Sequence, residues 1–191
     1  MDAQEAWETW KARVGNVPPL GYVLRESLPE RSFRVHALPG RLRVPRDHDE
    51  RDLARYRHFV AASAVLGVGS DCLAFVTTRS EDRLLGIWLP LRPWDGVPLE
   101  DRHREEVRGS VTRFRAMSWG IPDGAEIVRR VAYNEFNGLV AVLSLATGGV
   151  YCPYDGGADF TLGNTASRET MELVFSRWTP GASVWDVMRG R

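Results

Sequence analysis

Lysine is nearly missing from this chain: Lys11 is the only one, so the other cations that balance 25 acidic side chains are arginines. With a formal net charge of zero, the chain has no basic footprint for nucleic acid and no acidic mimicry of a phosphate backbone, so a partner has to be recognised by a local patch. Cysteine is scarce as well. Cys72 and Cys152 both fall in apolar segments, where a thiol behaves as a small buried hydrophobe, and two such residues make neither a disulfide framework nor a thiolate metal site. The histidines, His36, His48, His58 and His103, are never spaced to bring two ligands onto one helix face, so no metal and no cofactor are expected. Glycine-rich phosphate loops and the Gly-x-Ser-x-Gly elbow are missing, which removes the usual sequence support for nucleotide binding and serine hydrolysis. No apolar run approaches the ~18 residues that cross a bilayer. The opening Met1-Asp2-Ala3-Gln4-Glu5 lacks the layout of a secretory leader, and a cytoplasmic location is expected.

What is present reads as one globular α+β domain over 1–191, with a mainly antiparallel sheet flanked by helices. Hydrophobic residues make up 43% of the chain and charged ones 26%, enough for a full core. An N-terminal segment, 1–17, carries Ala6, Trp7, Trp10 and Val14 at spacings of three and four, one face of a short helix over 2–14. Leu20–Leu28 predicts a second helix, stopped by Pro29, and Phe33, Val35 and Ala37 alternate with Arg34 and His36 as in an edge strand. The stretch 47–66 is a capped helix with Leu53, Tyr56, Val60 and Ala64 on its stripe, ending at Gly67. Cys72–Thr77 and Leu84–Leu91 form a hairpin signature, and 92–110 reads mainly as loop. Phe114–Trp119 is a strand candidate, Asp123–Tyr133 is compatible with a helix, and Leu139–Leu145 is the strongest strand. Val150–Pro153 and Asp159–Leu162 follow as short strands, and Ser167–Trp178 closes as a helix with Met171, Val174, Phe175 and Trp178 on one face. Strands cluster between helices instead of alternating with them, which favours α+β over a parallel doubly wound sheet.

Two stretches hold the chemistry-bearing side chains. In Tyr151-Cys152-Pro153-Tyr154-Asp155-Gly156-Gly157-Ala158-Asp159, two carboxylates four residues apart flank paired glycines, a layout for an acid and base pair, for a cation (although a Ca²⁺ loop needs more oxygen donors than this run supplies), or for a turn that needs positive φ. In Arg34-Val35-His36-Ala37-Leu38-Pro39-Gly40-Arg41-Leu42-Arg43, arginines and a histidine surround a turn that can hold an anion. If Asp155 or Asp159 faces that patch, a buried ion-pair network explains both clusters without catalysis. Seven tryptophans are many. Trp7, Trp10 and Trp178 read as core, whereas Trp94 and Trp119 lie near loops as candidate exposed anchors for a partner.

Pro19-Leu20-Gly21-Tyr22-Val23-Leu24-Arg25, Phe33-Arg34-Val35-His36-Ala37-Leu38-Pro39, Tyr154-Asp155-Gly156-Gly157-Ala158-Asp159 and Arg177-Trp178 together resemble an uncharacterised bacterial family of domains of unknown function (DUF3885-like). The resemblance covers 18–180. The sequence departs from that pattern after Leu38-Pro39, with Gly40-Arg41-Leu42-Arg43-Val44 in place of a Ser-Lys-Arg-Tyr-like run. Bacterial origin and a small stand-alone domain are what the resemblance implies; it carries no established reaction.

With catalytic motifs missing, the expected function is a non-enzymatic intracellular protein-binding domain, of the immunity type that neutralises a bacterial toxin, with Arg34, Arg43, Trp94, Trp119 and Tyr154 as its binding residues. The alternative is a small hydrolase or transferase acting on an anionic small molecule through His36, Asp155 and Asp159 with Arg34 or Arg43. A nucleic-acid role has no positive support.

Overall fold

In the computed structural model, residues 1–38, 44–79, 92–94, 110–120, 122–133, 135, 138–154, 156–166 and 168–176 are described. The N-terminal helix α1 (Ala3–Val14) starts with a reciprocal cap: Asp2 accepts from the Glu5 amide and Glu5 accepts from the Asp2 amide, satisfying two otherwise orphaned donors. Helix α2 (Gly21–Ser27) follows, then strand β1 (Ser32–His36) and the long helix α3 (His48–Leu66). Asp47 caps α3 by accepting from Glu50, and Gly67, at φ 81°, ends it where a side chain would be strained. Strands β2 (Asp71–Arg79), β3 (Arg92–Trp94) and β4 (Ser110–Ser118) precede helix α4 (Asp123–Ala132). A meander of β5 (Leu139–Ser144), β6 (Val150–Tyr154) and β7 (Gly157–Thr161) leads into helix α5 (Arg168–Ser176). No described helix is long and apolar enough to cross a membrane.

The described strands form one antiparallel sheet in the order β1-β7-β6-β5-β2-β4-β3. This is the α+β fold with an antiparallel sheet that the clustering of strands predicts. Alternation along the strands divides the core in two. On one face, Leu73, Phe75, Phe114, Ala141, Leu143, Val150 and Cys152 pack against Trp7, Trp10 and Val14 of α1 and Leu24 of α2. On the other, Phe33, Cys72, Ala74, Val142, Tyr151 and Phe160 pack under Ala61, Ala62 and Val65 of α3, Ile127 and Val128 of α4 and Phe175 of α5. The partner expected for Cys72–Thr77, Leu84–Leu91, lies outside the described residues; within them, β2 pairs with β4 and β5.

Two helix faces differ from their expected stripes. Of Leu53, Tyr56, Val60 and Ala64, only Leu53 is buried; the inward face of α3 is Leu53, Ala54, Arg57, His58, Ala61, Ala62, Val65 and Leu66. The rotation has a physical cause. The alanines let α3 lie close on the sheet, and the two polar residues that disguise this face are held inside by partners, while Tyr56 is turned outward and 42% exposed. On α5, Phe175 is buried and Met171 half-buried as expected, but Val174 is exposed beside Leu173. Trp178 lies outside the described residues.

Candidate functional site

The register of β1, β7 and β6 gathers the chemistry-bearing residues of both stretches. Arg34 stands opposite Asp159, and Asp159 opposite Cys152; His36 stands opposite Gly157, and Gly157 opposite Tyr154. Directly opposed residues share a face, and here it is the face that carries α2. Arg34 donates from Nε to Asp159 Oδ1 and from Nη2 to Oδ2, both at 2.8 Å, the bidentate fork that guanidinium and carboxylate form best. Arg25 of α2 approaches Oδ1 at 3.5 Å. The Asp159 side chain is 7% exposed, each arginine 35%. Arg34 also lies over the Tyr154 ring, its guanidinium carbon 4.9 Å from the centroid. The hydrogen bonds that Arg34 donates to Asp159, with the charge of that carboxylate, hold the Arg34 pKa above the usual value against the opposing effect of burial.

Glycine makes this packing possible at two positions. A Cβ on Gly21 would stand 2.7 Å from the Cβ of Cys152 and 3.4 Å from Asp159 Oδ2, so α2 begins directly on the ion pair. A Cβ on Gly157 would stand 2.1 Å from the Val35 carbonyl oxygen and 2.8 Å from the Tyr154 hydroxyl. Positive φ, the sequence-based reason for the turn glycines, does not apply to Gly157; what requires glycine there is the close approach of β1 and of the tyrosine. Beside the ion pair, Gly21, Tyr22, Arg34, Pro153, Tyr154 and Asp159 line most of a pocket of about 180 Å³ whose floor includes Cys152.

Of the expected binding residues, Arg34 and Tyr154 are therefore together, with His36 two residues along β1 and half-buried. Asp155 and Arg43 lie outside the described residues. Trp94 enters the sheet through its backbone, in register with Thr112, and its side chain lies outside what is described. Trp119 is a correction: it is fully buried, its indole nitrogen donating to Ser63 at 3.1 Å and its ring packed against Phe59 and Tyr151. Its loop position just after β4 is misleading, because α3 and α4 close over the end of that strand. Neither thiol is poised for nucleophilic chemistry. Burial pushes the Cys72 pKa up to about 11, and burial together with the charge of Asp159 drives that of Cys152 well above its ordinary value.

Sequence reasoning missed Arg25, Arg57, His58 and Tyr151 as partners in polar contacts. His58, fully buried on α3, sits with Nδ1 2.9 Å from the Tyr151 hydroxyl, while Nε2 has no hydrogen-bond partner among the described residues. Burial depresses its pKa to about 4. Arg57, also fully buried, donates to the Ala37 carbonyl at 3.2 Å. The signal for both was the run of alanines at helical spacing, Ala54, Ala61 and Ala62, on the same face. Among the described residues, no group of three His, Cys, Asp or Glu side chains is placed to hold a metal ion.

A second cavity lies on the other side of the sheet. A groove of about 330 Å³ runs between α3 and α4, lined by Asp52, Arg55, Tyr56, Phe59, Ala125 and Val128. Its walls are aromatic and aliphatic and its edge is charged. Tyr133 borders the same pair of helices, its hydroxyl 3.4 Å from Asp52 and its ring faced by Arg51 and Arg129.

Compared with known proteins, residues 20–181 match the model of a family described as a domain of unknown function, DUF3885. No curated protein and no solved structure matches the chain.

Proposed function

The chain belongs to the DUF3885 family of domains of unknown function, and on that footing we propose that it is a protein-binding domain and not a catalyst. The observation that carries this reading is the groove between α3 and α4. Tyr56 and Arg55, residue types that dominate interface energetics, stand at an opening walled by Phe59, Ala125 and Val128 and edged by Asp52: an apolar centre with a polar rim, the anatomy of a protein interface. The two sides of the groove come from helices packed on a common sheet, so a partner meets a preformed surface with little ordering to do.

The enzymatic alternative draws less from the structure. Asp159, its acid or base, accepts two short hydrogen bonds from Arg34 and is covered by α2, so its oxygens are committed to a permanent cation. A general base needs an oxygen within reach of the proton it takes. An immunity-type role, in which the domain neutralises a toxin by covering it, is the form of protein binding that suits a small domain without its own chemistry. The test is capture by the tagged protein from the cells that make it, with wild type beside Tyr56→Arg. A stoichiometric partner retained by wild type and lost by Tyr56→Arg is expected; no stoichiometric partner, or one held equally by both, overturns the reading.

A further inference from the structure

We propose that the pocket beside the Arg34–Asp159 pair is a receptor for a small carboxylate. The charges lead there. Two guanidiniums converge on one carboxylate, leaving one net positive charge, and each arginine is one-third exposed whereas the carboxylate is buried. Asp159 occupies Nε and Nη2 of Arg34; a guanidinium has five N–H donors, and no acceptor among the described residues takes those of Nη1, which are left for a ligand. Arg25 touches Asp159 only through Nη1, at 3.5 Å, and has further donors to give. The buried aspartate thus acts as a positioning residue. It holds Arg34 in a fixed plane against the Tyr154 ring and draws Arg25 towards the same point, so that little side-chain freedom is lost when an anion arrives.

Charge and size narrow the ligand. A single surplus positive charge matches a monoanion, and Asp159 in the pocket lining repels a dianion such as phosphate above neutral pH. The volume of about 180 Å³ is that of ~6 water molecules at liquid density, which fits a short acid or the terminal carboxylate of a chain. Tyr22, Pro153 and Tyr154 supply flat apolar walls for its hydrocarbon part. The site lies on the α2 face of the sheet, opposite the α3–α4 groove, and its failure leaves the protein-binding reading untouched.

The test is an amide chemical-shift titration of the full chain with sodium acetate against sodium chloride at matched ionic strength, in wild type, Arg25→Gln and Arg25→Lys. Saturable shifts at Gly21, Tyr22 and Tyr154 are expected in wild type with acetate alone. Loss of one charge-assisted hydrogen bond weakens binding ~10-fold or more in Arg25→Gln, with Arg25→Lys restoring part of it and thermal melting of both variants close to wild type. A short peptide with a free terminal carboxylate, run beside its amidated form, separates the two sources: tighter binding than acetate by the free peptide alone assigns a protein terminus, and binding of acetate alone assigns a free acid. Shifts that do not saturate, that chloride reproduces, or that Arg25→Gln leaves unchanged overturn the proposal.

Discussion

Arg34 and Asp159, 125 positions apart in sequence, meet across β1 and β7 in a two-pronged ion pair with both contacts at 2.8 Å. The pair joins the arginine-rich edge strand to the strand after the glycine turn and pins α2 on top. Removing one partner leaves the other desolvated, the most damaging way to break such a pair.

Asp159→Asn is expected to destabilise the fold by about 3 kcal/mol, the low end for a broken buried pair because Arg34 is partly solvated. Replacing both partners with residues of similar volume, Arg34→Met with Asp159→Leu, restores part of that loss, since neither charge is then stranded. Urea unfolding of Arg34→Met, Asp159→Leu and the double variant measures the coupling. Additive losses would mean that the pair contributes no more than two independent surface contacts.

His58 makes stability depend on pH. Its folded pKa is about 4, against 6.5 for the free side chain, because burial disfavours the imidazolium. The unfolded chain therefore takes up the proton first as the pH falls. The stability held by neutral His58 is complete above pH ~6.5 and is lost progressively as the pH drops from there towards 4, by about 3 kcal/mol in all. His58→Gln, which keeps a hydrogen-bonding group opposite Tyr151, should flatten that slope. Equal slopes in wild type and variant, followed by urea unfolding at pH 7, 5.5 and 4.5, would assign the acid sensitivity to other groups.

Gly157→Ala should be among the worst single substitutions in the chain, although it adds one methyl group. The new carbon would meet the Val35 carbonyl oxygen at 2.1 Å, and backbone on both strands has to move, a loss of about 3 kcal/mol or more. The edge strand β1 should loosen first, visible as faster amide exchange at 32–36. Gly15→Ala is the control, with open space at its Cβ but a φ of 98°: it carries backbone strain without collision, and β1 should exchange as in wild type.

Both cysteines should resist a thiol reagent in the folded protein. Cys72, with its pKa near 11, and Cys152, pushed up by burial beside Asp159, carry little thiolate at pH 8. Ellman's reagent is expected to label neither during the time in which it labels both in urea. Rapid labelling of the native chain would show one thiol to be accessible and activated.

The elements were legible where one physical rule acts alone. Alternation at Phe33, Arg34 and Val35 marks β1, the capping residue Asp47 marks the start of α3, and Trp7, Trp10 and Val14 mark the buried face of α1. Legibility failed where polar residues go inside or an aromatic residue sits next to a loop. Arg57 and His58 hide the true inner face of α3 because their hydrogen-bond partners, Ala37 and Tyr151, come from other elements. Trp119 looks like a loop anchor because α3, whose Phe59 and Ser63 meet its ring and indole nitrogen, lies about 60 residues earlier in the chain. For the candidate site, both halves were visible as residues, and their meeting was visible only as one possibility, since it depends on β1 joining the far side of β7. Nothing near Arg25 in the sequence marks its pairing: its partner Asp159 lies beyond six intervening strands, β1 to β6.

The most direct measurement is amide hydrogen exchange on the complex of this chain with the partner it captures from its native cells, compared with the free chain. Protection is expected at 52–59 of α3 and 125–128 of α4, the two walls of the groove, with little change on the α1 side of the sheet. Protection confined to other surfaces, or a chain that captures no stoichiometric partner, would contradict a protein-binding role centred on Tyr56 and Phe59.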